Sequence, residues 1–155
     1  MQMDEAAGDL ALLDEPLAIE LLNSRFPARL SYIWFDGTPR VVPIWFHWTG
    51  SAIVMCSPAK APKLRALERN PAVAVTIASA EWPYRVLSLR GDATVTMEDD
   101  VAAEYASAAK RYLGPEAGAA WVDQVRGMRM GRVVVEPRWA NLLDFEHRLP
   151  SALSA

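Results

Sequence analysis

A single cysteine, Cys56, and two histidines, His47 and His147, are all that the 155 residues offer in thiol or imidazole ligands. One cysteine excludes an intramolecular disulfide, and so small a set excludes a Cys/His metal site. It also weighs against a histidine-dependent hydrolase. His47 alternates with Trp45 on its strand and reads as a structural or surface residue. There is no Gly-x-Gly-x-x-Gly fingerprint, no Walker loop and no Gly-x-Ser-x-Gly elbow, and Gly127 with Gly131 is an isolated small-residue pair without functional meaning. No apolar run approaches the ~18 residues of a membrane span. The net charge of −3 provides no global basic field for nucleic acid. Met1-Gln2-Met3-Asp4-Glu5 is acidic where a secretion leader is basic. The expectation is a soluble, cytoplasmic protein with neither nucleic acid nor membrane as a partner.

What is present suits one globular domain over residues 1–155, with 52% hydrophobic and 23% charged residues. A short helix is expected over Asp14–Asn23, with Asp14 and Glu15 at its positive end and Pro16 in its first turn. Strands follow over Arg29–Phe35, Val41–Trp48 and Ala52–Cys56, separated by the turn signals Asp36-Gly37-Thr38-Pro39 and Thr49-Gly50. A helix over Pro62–Arg69 ends at Asn70-Pro71. Strands Ala72–Ala78 and Tyr84–Met97 come next, the latter with Gly91 marking a bend or bulge. The segment Asp99–Leu113 has acids first, an apolar face and bases last, stopped by Gly114-Pro115. A further helix to Val125 and two closing strands, Arg132–Glu136 and Trp139–Phe145, complete a core of about 26–147, with a lightly packed tail. About six or seven strands in consecutive hairpins predict an antiparallel barrel, mainly β with inserted helices.

Two features carry candidate chemistry. In Ser57-Pro-Ala-Lys-Ala-Pro-Lys-Leu-Arg-Ala-Leu-Glu-Arg-Asn-Pro71, Pro62 opens a helix and places Lys63 in its first turn, with Lys60 just before. Lysines there oppose the helix dipole at a cost of ~0.3–1 kcal/mol each. Free N–H groups, lysine and the Ser57 hydroxyl together make an anion site. On these residues alone, an anion site and a solvated basic turn are level readings. In the second feature, Pro43 removes a ladder donor from Val41-Val42-Pro43-Ile44-Trp45-Phe46. That puts the strand at an edge or leaves it locally unpaired, with Trp45 either an aromatic wall or a core residue. The two features describe a cleft with a planar-ring end and a phosphate end. Tyr84 and Arg85 are further candidate pocket residues, Tyr84 more as packing.

Taken in order, Asp36-Gly-Thr-Pro39, Val42-Pro-Ile-Trp-Phe46, Ser57…Ala61-Pro-Lys-Leu-Arg-Ala-Leu67…Asn70-Pro-Ala-Val-Ala-Val75, Val86-Leu-Ser-Leu-Arg-Gly-Asp-Ala93 and Trp139-Ala-Asn-Leu-Leu-Asp-Phe145 resemble the pyridoxamine-phosphate-oxidase-like split-barrel family. The texture is closest to its flavin- and deazaflavin-dependent actinobacterial-type members, and the resemblance covers about residues 26–147. It implies a homodimeric split β-barrel binding FMN or coenzyme F420 at the dimer interface. Lys63 matches the family's phosphate-binding lysine, with Arg65 and Lys60 as helpers. Val42, Pro43, Ile44 and Trp45 line the ring, Ser57 lies by the phosphate or ribityl chain, and Trp139 reaches the cleft from the second subunit. Where true pyridoxamine phosphate oxidases carry an arginine and a lysine on the second strand, Val42 and His47 stand here. Their substrate-gripping C-terminal arginine and histidine have only Arg148 and His147 loosely in the region, so vitamin B6 oxidation is not expected. Ala61 replaces a basic residue common among deazaflavin binders, so FMN and F420 both stay open. The implied activity is hydride transfer between the bound cofactor and a small planar substrate; the alternative is a non-catalytic carrier or sensor on the same fold. A third reading, an interaction module that has lost its ligand, ranks last because the basic turn is retained.

Overall fold

A computed structural model describes residues 8–153. Seven strands form one antiparallel sheet: β1 (Ala28–Ile33), β2 (Pro39–Ile44), β3 (His47–Trp48), β4 (Ile53–Pro58), β5 (Ala72–Ala78), β6 (Arg85–Glu98) and β7 (Met130–Asp144). Their order across the sheet is β2-β1-β5-β6-β7-β4-β3. Four helices are inserted: α1 (Pro16–Leu22), α2 (Pro62–Arg69), α3 (Ala103–Leu113) and α4 (Pro115–Gln124).

The order forces the sheet to curl. β2 and β3 occupy opposite edges, yet only Trp45 and Phe46 separate them in the chain. Seven flat strands would hold their edges ~29 Å apart. The three Cα steps from Ile44 to His47 reach at most ~11 Å. The edges must therefore meet, and the barrel is closed there by covalent chain rather than by hydrogen bonds. This is the expected antiparallel split β-barrel. It also corrects one expected element: Val41–Trp48 is not a single strand but two, broken at the link.

Alternation fills the interior. Ala28, Leu30 and Tyr32 of β1, Val73, Val75 and Ile77 of β5, and Leu87 and Leu89 of β6 are all buried in one core. α1 adds Leu21 and Leu22, and α2 adds Leu64 and Leu67. β4 is buried on both faces: Ile53 and Met55 enter the main core, while Val54 and Cys56 meet Ala102 and Val125 in a second cluster on the other side.

The two closing strands expected from the sequence are one. β7 runs unbroken past Pro137, and its inward residues switch from Val133 and Val135 to Ala140 and Leu142. The register explains the switch: Arg90 faces Trp139 but Gly91 faces Pro137, so Arg138 is an extra residue. A β-carbon on Gly91 would come 2.5 Å from the Glu136 carbonyl oxygen, so the bulge requires glycine there. α3 begins at Ala103, four residues later than the acids suggested. The Asp100 carboxylate instead accepts hydrogen bonds from the N–H groups of Val101 and Gly127, both at 2.7 Å. Likewise Leu10–Asp14 forms a 3-10 turn, leaving α1 to start at Pro16. The tail is tied down by Arg148, which pairs with Glu15 at 2.8 Å.

Candidate functional site

The turn between β4 and α2 is built from the end of one strand and the start of one helix. Ser57 shares the inward face of Ile53 and Met55 and is 3% exposed. Ala59 N–H donates to the Arg129 carbonyl at 3.0 Å, and Ala61 N–H to the Pro58 carbonyl at 2.8 Å. The first holds the turn against the start of β7, and the second closes the turn on itself. α2 then opens with Ala61 at its N-cap, which supplies no side-chain cap, and with no acidic residue in its first turn. Its start is thus a positive dipole end without a resident anion.

Lys63 lies in that first turn, half-buried, with neither an ion pair nor a hydrogen bond among the described residues. Burial pushes its ammonium below the ordinary 10.5. Lys60 and Arg65 flank it, exposed and equally without an acidic partner among the described residues. By contrast, Arg85, Arg126, Arg129, Arg132, Arg138 and Arg148 each face a carboxylate. Three cations thus cluster at the turn without an acidic partner among the described residues.

The position of α2 depends on a residue that sequence reading dismissed. Ser57 pairs with Gly131 across the β4–β7 ladder, and Leu64 fills the space above Gly131. Its signal was the Gly127/Gly131 pair, but only the register reveals that one of the two lies under a helix. Gly127 is a turn glycine with φ of 80°.

The other predicted residues are placed separately. Val42 and Ile44 point inward against the core, while Pro43 lies on the exposed face of an edge strand. β3 covers only Ile53 and Val54 of β4. One backbone edge of β4 from Met55 to Ser57, and one edge of β2, thus have no strand partner. Trp45 joins these edges. It lies beyond the end of β2, stacked on Tyr112 at 5.1 Å and tilted against Tyr105 at 5.9 Å. Trp139 is not beside Lys63: it lies eight positions along β7 from Gly131, about 26 Å of strand. Its indole lies under the Arg90 guanidinium at 3.9 Å and against Gly8, and its buried N–H has no hydrogen-bond partner among the described residues.

Beneath α3, Glu104 pairs with Arg132, Nε to Oε1 at 2.9 Å. The Arg132 hydrogen bond holds the Glu104 carboxyl below 4.5. Burial, and after it the charge of nearby Arg111, lower the His47 imidazole below its ordinary 6.5, with Glu104 opposing. Among the described residues no group of His, Cys, Asp and Glu is arranged to hold a metal, and no helix is long and apolar enough to cross a membrane.

A family model described as pyridoxamine 5'-phosphate oxidase matches residues 20–138. The chain belongs to the pyridoxamine 5'-phosphate oxidase family. Solved structures agree on the fold. An F420 reductase is 29% identical, with a TM-score of 0.61, over 78% of this chain and 93% of that one. A conserved hypothetical protein of Mycobacterium tuberculosis is 23% identical, with a TM-score of 0.66, over 87% and 90%. The heme storage protein HutZ of Vibrio cholerae is 19% identical, with a TM-score of 0.59, over 84% and 93%. No curated protein sequence matches the chain. The family and the F420 reductase point to cofactor-binding split barrels. The Ser57–Lys63 turn fits the phosphate of such a cofactor, because it offers a buried hydroxyl, a partly desolvated ammonium and an uncapped helix start.

Proposed function

We propose that the protein binds FMN or the deazaflavin F420 by its phosphate at the Ser57–Lys63 turn and serves hydride transfer to or from a small planar substrate. The observation that carries the reading is Lys63, a half-buried ammonium without an acidic partner among the described residues. An ammonium that loses water without gaining a partner destabilises the fold, and a bound phosphate removes that penalty. When bound, the flavin or deazaflavin supplies the redox chemistry, and the protein supplies position and electrostatics.

In this reading Lys63 and the first-turn N–H groups of α2 neutralise the phosphate, the Ser57 hydroxyl donates to it or to the ribityl chain, and Lys60 and Arg65 raise the local anion potential. The partnerless edge of β2, at Val42–Ile44, flanks the ring. Trp45, braced by Tyr112, closes the end of that cleft. Trp139 is too far along β7 to serve Lys63 of its own protomer. It acts on the cleft of a second copy in a homodimer. The carrier or sensor reading shares every one of these contacts, so turnover separates the two.

The absorbance spectrum and mass of whatever co-purifies identify the cofactor. Steady-state assays with reduced FMN and reduced F420 against quinones and tetrapyrroles then test catalysis. Turnover with one of them is expected. Tight binding without turnover selects the carrier reading, and failure to bind either cofactor overturns the proposal. Sedimentation as a stable monomer would remove the role given to Trp139.

A further inference from the structure

At the far end of the barrel from Lys63, the loop joining β5 to β6 overhangs a cavity of about 460 Å³. The β6–β7 ladder sets the distance: Glu98 pairs with Met130 beside the basic turn, whereas Arg85 pairs with Asp144 at the cavity. Leu21, Phe26 and Trp82 are among its lining, with Glu20, Glu81 and Arg85 as the charged groups.

Three observations give this cavity a ligand chemistry. The loop is held in place: Ser79 N–H donates to the Arg85 carbonyl at 2.9 Å, and Arg85 N–H donates to the Ser79 hydroxyl at 3.0 Å. Trp82 is supported edge-on by Tyr84 at 5.5 Å and is tilted against Phe145 at 5.7 Å, yet remains 67% exposed, so ring surface is left for a guest. The charge is unbalanced towards negative. Arg85 is already engaged by Glu20 at 3.3 Å, and Glu81 has no ion pair among the described residues. An exposed indole beside an uncompensated carboxylate favours a cation with an apolar body and disfavours an anion.

We propose that this cavity is a second binding site, separate from the basic turn and selective for a small organic ammonium ion on a flat aromatic body. The ring of the guest packs on Trp82 and Phe26, and its ammonium meets Glu81. Nothing in this inference depends on which cofactor, if any, the basic turn holds.

Titration of the full-length protein with benzylammonium, followed through the Trp82 indole N–H by NMR, tests it. Benzyl alcohol and benzoate serve as neutral and anionic matches. Benzylammonium is expected to bind at least about threefold more tightly than benzyl alcohol, benzoate to bind least, and added salt to weaken only the ammonium. Trp82→Ala, followed through the Phe26 and Arg85 amides, should weaken benzylammonium about two- to fivefold. Glu81→Gln should erase its advantage over the alcohol, and Lys63→Ala should leave its binding unchanged. Both cavity variants alter exposed side chains, and an unchanged thermal midpoint verifies that they fold. Equal affinity for all three probes, or an ammonium preference that survives Glu81→Gln, overturns the assignment, as does the absence of any shift at Trp82.

Discussion

Leu64 of α2 occupies the volume that a β-carbon on Gly131 of β7 would need: its Cδ2 lies 2.6 Å from that position. Both residues are buried, so neither can move into solvent. Gly131→Ala should therefore push α2 outward and cost about 1–3 kcal/mol by overpacking. The shift also displaces the adjacent Lys63, so cofactor affinity should fall with stability. Denaturant unfolding reads the first effect as a lower midpoint at unchanged slope. Adding Leu64→Ala should partly rescue the Gly131→Ala loss, because the two changes share one space.

Lys63 should respond to pH in two opposite ways. Burial lowers its ammonium from 10.5, so between the lowered value and 10.5 the unfolded chain keeps a proton that the folded chain has shed. Stability of the ligand-free protein then rises with pH across that window. Cofactor affinity should run the other way and fall as pH climbs through the lowered value, because a neutral amine gives the phosphate no charge. At neutral pH, Lys63→Ala should weaken binding about tenfold or more, as expected for loss of one charge-assisted hydrogen bond. The ligand-free protein should keep or slightly gain stability. Isothermal titration across pH with whichever cofactor binds checks both, and pH-independent affinity would place the phosphate elsewhere.

The strands and helices that the sequence marked by local chemistry lie close to where they were expected. Pro62 opens α2, Gly114 stops α3, and Pro43 lies on an edge strand, because each of those effects acts within a residue or two. What went unread depends on register. Pro137 looks like a strand break until Gly91 is seen opposite it, absorbing a bulge inside one long β7. Gly131 looks idle until Leu64 is seen above it. The candidate site divides along the same line. Lys63 and Ser57 are neighbours in one turn and were legible as a unit. Trp139 follows from family likeness alone, and within one chain it stands apart from them.

Cys56 should be inert while the protein is folded. Burial raises its thiol to about 12, with Glu104 adding to the effect and Arg132, its partner across the β4–β7 ladder, opposing it. At pH 8 the thiolate fraction is then only about one part in ten thousand, and the sulfur is buried besides. Between 9.0 and about 12 the unfolded chain loses a proton that the folded chain retains, so this thiol's contribution to stability declines as pH rises there. Labelling with a thiol-specific disulfide reagent should be stoichiometric in denaturant and should follow the unfolding rate without it. Complete labelling of the folded protein within seconds would contradict this burial.

Arg111 is the pin that closes the barrel. Its Nε donates to the Ser24 carbonyl at 2.9 Å, and its guanidinium also donates to the carbonyl of Phe46, inside the two-residue link between β2 and β3. The same group lies over the rings of Phe46 and Tyr112, at 4.9 Å and 4.8 Å. Phe46 is fully buried, and its carbonyl belongs to neither flanking strand, so Arg111 supplies a donor where the sheet provides none. Arg111→Ala strands that carbonyl and should cost about 2–3 kcal/mol. Arg111→Lys should recover less than half of it, since an ammonium cannot reproduce a planar fork reaching two carbonyls. The link also carries Trp45, whose ring stacks on Tyr112, so loosening it should alter near-ultraviolet circular dichroism in the tryptophan band before global unfolding. A full-strength tryptophan signal and an unchanged unfolding midpoint in Arg111→Ala would show that Trp45 and Phe46 hold the split without it.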